Sequence, residues 1–358
     1  MISQISKLLK AYVAGEIGYA IIFVTAKCNS KCKTCFYWKN SESGSPQELT
    51  TQEYEKLTKK WKSLFHVSFT GGEPLLRNDL PEIAHMFYKN CRTRSLGLTT
   101  NGLLPEKCVQ TVKAIISENP ELKLKLSVSI DELGEKHDEI RGVKGNYEKL
   151  TSTIALIKEI AKINKNLELR INLTYCSYNK DNIKTIIDRI SADFGLPVNI
   201  GIIRGDPRNN NSKNIKPQEY LDAVTHIKTR YKQRNETNGY FRILDNVIFR
   251  VYDITYKILE ENKKVLNCVA GKNMIVISET GNVLPCEMLT QTFPDKAFVF
   301  PNLREYDFDI HALRKSNVFA SLLGFIKKTG CFCTFECATM NSIAYNPLQI
   351  LKLISRFK

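Results

Sequence analysis

The chain has 358 residues, 43% of them hydrophobic, and 52 Lys and Arg against 37 Asp and Glu give a formal net charge of +15. That length and apolar content suit one large folded domain with a smaller companion and exclude a disordered chain. The longest early apolar run, Tyr19 to Val24, is far shorter than the roughly 20 residues of a membrane span, and no signal-peptide pattern precedes it, so a cytoplasmic location is expected. The positive charge fits either an anionic partner or a lysine-rich solvated surface. Lysines are spread along helical patterns, as in Lys56, Lys59, Lys60 and Lys62, and no Lys/Arg tract is interleaved with stacking aromatics, so nucleic acid is not an expected partner.

In chain order, Ile2, Ile5, Leu8, Leu9, Tyr12 and Val13 recur at helical spacing, which predicts a basic amphipathic helix over residues 1–18. From 19 to 205, short apolar runs beginning near Ile21, His66, Ser95, Leu124, Leu167 and Val198 alternate with longer helical patterns. Such alternation is the signature of β-α units around a parallel sheet, with right-handed crossovers aligning the carboxyl ends of the strands on one face. A polar stretch follows at Asp206 to Lys216, so 206–265 reads as a linker and helices. Cysteines return over 266–345, and 346–358 forms a second basic amphipathic segment. Two such ends suit either docking on the protein itself or peripheral contact with an anionic bilayer.

Eleven cysteines would suggest disulfides in a secreted chain, yet eight fall in two clusters and Cys91, Cys108 and Cys176 stand singly. Metal ligation in a reducing compartment explains this distribution, with the single three as small buried hydrophobes. The run Cys28-Asn29-Ser30-Lys31-Cys32-Lys33-Thr34-Cys35 places three thiols on the loop after strand one. Three thiolates can hold three irons of a cube and leave the fourth open, whereas the Cys32/Cys35 pair alone would also suit zinc with ligands from elsewhere. After strand two comes Gly71-Gly72-Glu73-Pro74, where glycines allow a ligand close to the backbone.

Together these two motifs resemble the radical SAM superfamily. The resemblance implies an α/β fold: a partial (β/α)6 TIM-like barrel, open on one side to admit large substrates, with a small C-terminal cysteine-rich auxiliary-cluster domain. It implies that a 4Fe-4S cluster on Cys28, Cys32 and Cys35 binds S-adenosylmethionine (SAM), and that Gly71, Gly72, Glu73 and Pro74 hold its amino group. The fourth strand ends in Ser127-Val128-Ser129-Ile130-Asp131, which puts Ser129 and Asp131 on one face, ready to bond ribose or substrate, or leaves Asp131 to cap the next helix. Asn101 ends the third strand in Thr99-Thr100-Asn101-Gly102 and is a further SAM-site candidate. His137 to Gly145 resembles the family's HDxxRGxxG segment, which implies Arg141 for the SAM carboxylate. The family's aromatic residue before the third cysteine is replaced here by Thr34, and Phe36, Tyr37 and Trp38 are left to stack on adenine.

Cys268, twelve residues, Gly281, four residues and Cys286 match the Cx(9-15)Gx4C pattern of SPASM and twitch domains, and Cys331, Cys333 and Cys337 follow. The resemblance implies one auxiliary 4Fe-4S cluster on Cys268, Cys286 and Cys337, with Cys331 and Cys333 competing for the fourth place; a zinc ribbon is the other reading. Glu287, next to Cys286, is a candidate catalytic base or a solvated carboxylate. The expected function is reductive SAM cleavage to a 5'-deoxyadenosyl radical, with a reductant such as flavodoxin or ferredoxin as partner. The expected substrate is a lipid, lipid-linked or small molecule; alternatives are peptide maturation and a non-catalytic iron-sulfur sensor.

Overall fold

The computed structural model describes residues 16–44, 47–233, 239–346 and 348–350. The amphipathic ends expected at 1–18 and 346–358 lie largely outside these residues.

Six parallel strands follow one another around the barrel: β1 (Tyr19–Thr25), β2 (His66–Gly71), β3 (Ser95–Thr100), β4 (Lys123–Ser129), β5 (Leu167–Tyr175) and β6 (Val198–Ile202). β7 (Met274–Ile277) adds parallel to the free edge of β1, and β8 (Val283–Leu284) pairs antiparallel with β7. The strands alternate faces. In β4, Leu124, Leu126 and Val128 are buried under the outer helices, while Lys125, Ser127 and Ser129 are only partly buried. The opposite face turns polar groups inward from neighbouring strands: Tyr19 stacks on His66 with centroids 4.6 Å apart, and His66 Nδ1 lies 2.8 Å from Ser95 Oγ. Gly97 leaves room there, since a Cβ would stand 3.1 Å from Ser68 Oγ.

The open side of the barrel carries a plug. The helix Glu336–Ala344 reaches both ends of the six-strand run: Glu336 Oε1 accepts from the Ile202 N–H at 2.9 Å on β6, and Cys337 bonds to the Tyr19 side chain on β1. Asn341 on the same helix meets Met274 of β7. The helix Gly239–Glu261 backs it, and its Tyr252 Oη accepts from Ile200 N–H at 3.1 Å. The expectation of a side open to large substrates therefore needs this correction: the C-terminal segment spans the gap, and the polar mouth at the strand ends remains.

Two buried histidines make the fold acid-sensitive. Burial holds His66 down to about 3 and His137 to about 4, against 6.5 for the free side chain. Asp131 N–H donates to His137 Nδ1, and Nε2 bonds Asn146 Oδ1, an arrangement suited to the neutral ring. Because the folded values are depressed, their contribution is complete above 6.5 and is lost as pH falls toward them, roughly 2 kcal/mol apiece by pH 5. Glu73, raised to about 6 by burial, works the other way and offsets about a third. The urea midpoint is expected to fall between pH 6.5 and 5, above the range where ordinary carboxylates titrate; a flat profile there would contradict neutral, buried rings.

Candidate active site

A cavity of about 230 Å³ opens at the carboxyl ends of the strands and is lined by Cys28, Cys32 and Cys35. The loop carrying them is wired at both ends. Lys31 N–H donates to Arg141 O at 3.1 Å and Lys33 N–H to Ile140 O at 2.8 Å, while from the segment after β6, Arg208 N–H donates to Cys35 O and Asn209 N–H to Lys33 O. Gly72 packs directly under this loop; a Cβ there would sit 2.0 Å from Lys27 O, and backbone cannot yield as a flexible side chain can.

Gly71, Gly72, Glu73, Asn101, Ser129 and Arg141 face the same cavity. Glu73 is 1% exposed and accepts from Thr100 Oγ1 at 2.7 Å and Asn101 N–H at 2.8 Å, which fixes its carboxylate. Pro74 is buried and opens the short turn Pro74–Leu76. Asn101 turns its amide back to Asn29 Oδ1 and Ser30 Oγ, so it braces the cysteine loop. Asp131 does not cap the following helix, whose N-cap is Leu133. Fully buried, it pairs with Arg141 Nε at 2.8 Å. Phe36, Tyr37 and Trp38 all line the cavity beside Thr34, and the Trp38 indole N–H donates to Asp206 O.

Burial pushes the Cys28 thiol up to about 12 and Cys35 up to about 11, and it raises Cys32 as well. Thiols so placed keep their protons unless a cation faces them, and metal ligation requires the thiolate. Among the described residues no three His, Cys, Asp or Glu side chains converge tightly enough for a single metal ion. The three thiols instead border one cavity, shared with the SAM-binding candidates.

At the C-terminal domain, Cys268, Cys286, Cys331 and Cys333 line one pocket. Cys337 is not among its lining residues. Its sulfur bonds the Tyr19 side chain, and its charged neighbours are Glu287, Arg204 and Glu336. Glu287 is neither solvated nor at the cavity wall: its side chain is 7% exposed and pairs with Arg204 at 2.9 Å. Sequence reasoning missed Arg204, just beyond β6, and Arg208, in a stretch that reads as polar linker; both line the cavity. Thr70, Thr99 and Thr174 were likewise missed; the signal available was strand alternation, which puts them on the face of Ser129.

Residues 22–190 match the radical SAM superfamily. The chain is 28% identical over 287 residues to the AdoMet-dependent heme synthase of Oleidesulfovibrio alaskensis, covering 74% of this chain and 68% of that one. It is 26% identical over 283 residues to the antilisterial bacteriocin subtilosin biosynthesis protein AlbA of Bacillus subtilis, covering 77% of this chain and 56% of that relative. In structure it resembles Streptococcus suis SuiB bound to S-adenosylmethionine, with a TM-score of 0.60 at 15% identity, over 91% of this chain and 72% of that one. It also resembles anSMEcpe with bound AdoMet and a Cp18Cys peptide, with a TM-score of 0.57 at 17% identity, over 94% and 98% of the two chains. Residues 22–190, with the cysteine loop at the head of the partial barrel, are thus a radical SAM superfamily domain, and the chain as a whole resembles radical SAM enzymes of the SPASM type.

Proposed function

We propose that this enzyme binds SAM at a 4Fe-4S cluster held by Cys28, Cys32 and Cys35 and abstracts hydrogen from a substrate, with an auxiliary 4Fe-4S cluster assisting substrate oxidation or binding. The observation that carries this reading is the convergence of three thiols, the Glu73 carboxylate and the Arg141 guanidinium on one cavity. The bound cluster would supply the electron that opens the SAM sulfonium to a 5'-deoxyadenosyl radical. The chain's own groups bind and orient. Glu73, fixed by Thr100 and Asn101, suits the methionine ammonium, and the Arg141 fork suits its carboxylate. Gly71 and Gly72 let the ligand lie against backbone, and Ser129 offers a hydroxyl to ribose or substrate.

The substrate reads as a lipid-linked or small molecule, and the reductant as a flavodoxin- or ferredoxin-type protein. No helix among the described residues is long and apolar enough to cross a membrane; a lipid-linked substrate would be met at the surface. Peptide modification is a second reading, supported by the likeness to AlbA and to a structure holding a peptide.

Anaerobic reconstitution, reduction with dithionite and quantification of 5'-deoxyadenosine from added SAM test the reading. Product is expected from the parent and none above background from Cys32→Ala. A reducible cluster that leaves SAM intact would turn the reading toward a non-catalytic sensor.

A further inference from the structure

Arg141 ends the helix Gly134–Arg141 and is 9% exposed. Its Nε pairs with Asp131 Oδ2 at 2.8 Å, and its Nη1 donates to Cys32 Sγ at 3.8 Å. Asp131 cannot drift: it is fully buried, its Oδ1 accepts from Thr174 N–H at 2.9 Å, and its own N–H donates to His137 Nδ1. The helix end is pinned as well. Gly142 takes φ 67° there, a Cβ would stand 2.7 Å from Lys31 O, and Arg141 O accepts from Lys31 N–H on the cysteine loop. One guanidinium is thereby locked between a buried carboxylate and a single sulfur of the cysteine triad.

We propose that Arg141, positioned by Asp131, sets the reduction potential of the cluster on Cys28, Cys32 and Cys35. This rests on the reading above but is distinct from holding the SAM carboxylate, because it acts with no SAM bound. Reduction adds one electron, and with it one negative charge, to the cluster and its thiolates. A fixed cation with an N–H on a ligand sulfur favours the reduced state over the oxidised one, and burial leaves that effect little screened by water. Asp131 opposes it: its negative charge tempers the guanidinium while its Oδ2 pairs with Nε. The two side chains therefore work on the potential with opposite signs.

The test is an EPR-monitored redox titration of the reconstituted enzyme without SAM. Arg141→Gln is expected to lower the midpoint, with at least a tenfold drop in the reduced-to-oxidised ratio at fixed potential, or 59 mV for a one-electron couple. Asp131→Asn keeps size and one acceptor and is expected to raise the midpoint. Midpoints equal to that of the parent, or an Asp131→Asn shift to lower potential, overturn the proposal. Should Arg141→Gln fail to hold iron, the sign of the Asp131→Asn shift decides alone. A parent protein with no reducible cluster would instead sink the functional reading itself, so the two failures are told apart.

Discussion

Cys286→Ala is expected to halve the iron of the reconstituted enzyme, from about eight atoms per chain to about four, while Cys337→Ala leaves it near eight. The argument is geometric. Cys268 and Cys286 flank the turn at Gly281, whose φ of 89° suits glycine, and both face a pocket completed by Cys331 and Cys333. Cys286 is 6% exposed, and the groups facing its sulfur are Cys333, Cys268 and Cys331. Four thiolates complete the coordination of a cube. Cys337, the second residue of the plug helix, points to Tyr19 instead. Iron analysis with EPR of each variant measures this directly. Loss of four irons on Cys337→Ala, with Cys331→Ala or Cys333→Ala silent, would restore the ligand set read from the cysteine spacing.

Much of the barrel was legible because its signals are local. An unbroken apolar run such as Tyr19 to Val24 has to be a buried strand, and the expected starts at His66, Ser95, Leu167 and Val198 are those of β2, β3, β5 and β6. The cysteine loop and Gly71-Gly72-Glu73-Pro74 were legible for the same reason, each being one turn of chain at a strand end. What the sequence hid depends on residues meeting across the molecule. Arg208 sits in a polar run that reads as linker, yet its backbone closes over Cys35, a bond no local pattern announces. The spacing of Cys331, Cys333 and Cys337 cannot say which thiols turn to one pocket, since that depends on where the helix Glu336–Ala344 begins. Glu287 stands beside a cysteine, which suggested acid-base chemistry; its partner Arg204 lies more than eighty residues away in the chain.

Arg204→Met is expected to lower stability by about 3 kcal/mol, seen as a drop of roughly 4 °C in Tm. Arg204 lies just beyond β6, with Nη1 on Glu336 at 2.7 Å and Nη2 on Glu287 at 2.9 Å, and its guanidinium rests between the rings of Phe36 and Phe335. It ties the end of the barrel sheet to the plug helix and to the residue after Cys286, so its loss loosens the closure of the open side. The larger cost is the carboxylate left behind. Glu287 is nearly buried, burial already raises its pKa, and the guanidinium is what opposes that rise. Without it the folded-state value climbs further above the unfolded one, so the variant loses stability as pH rises through that value and recovers as pH falls. The deficit relative to the parent should therefore be greater at pH 8 than at pH 5. Arg204→Met with Glu287→Gln should recover part of the loss at pH 8, because the amide carries no charge to desolvate, and double-mutant coupling by urea unfolding would measure it. A single-variant cost below about 1 kcal/mol at pH 8 would mean that water, and not Arg204, balances Glu287.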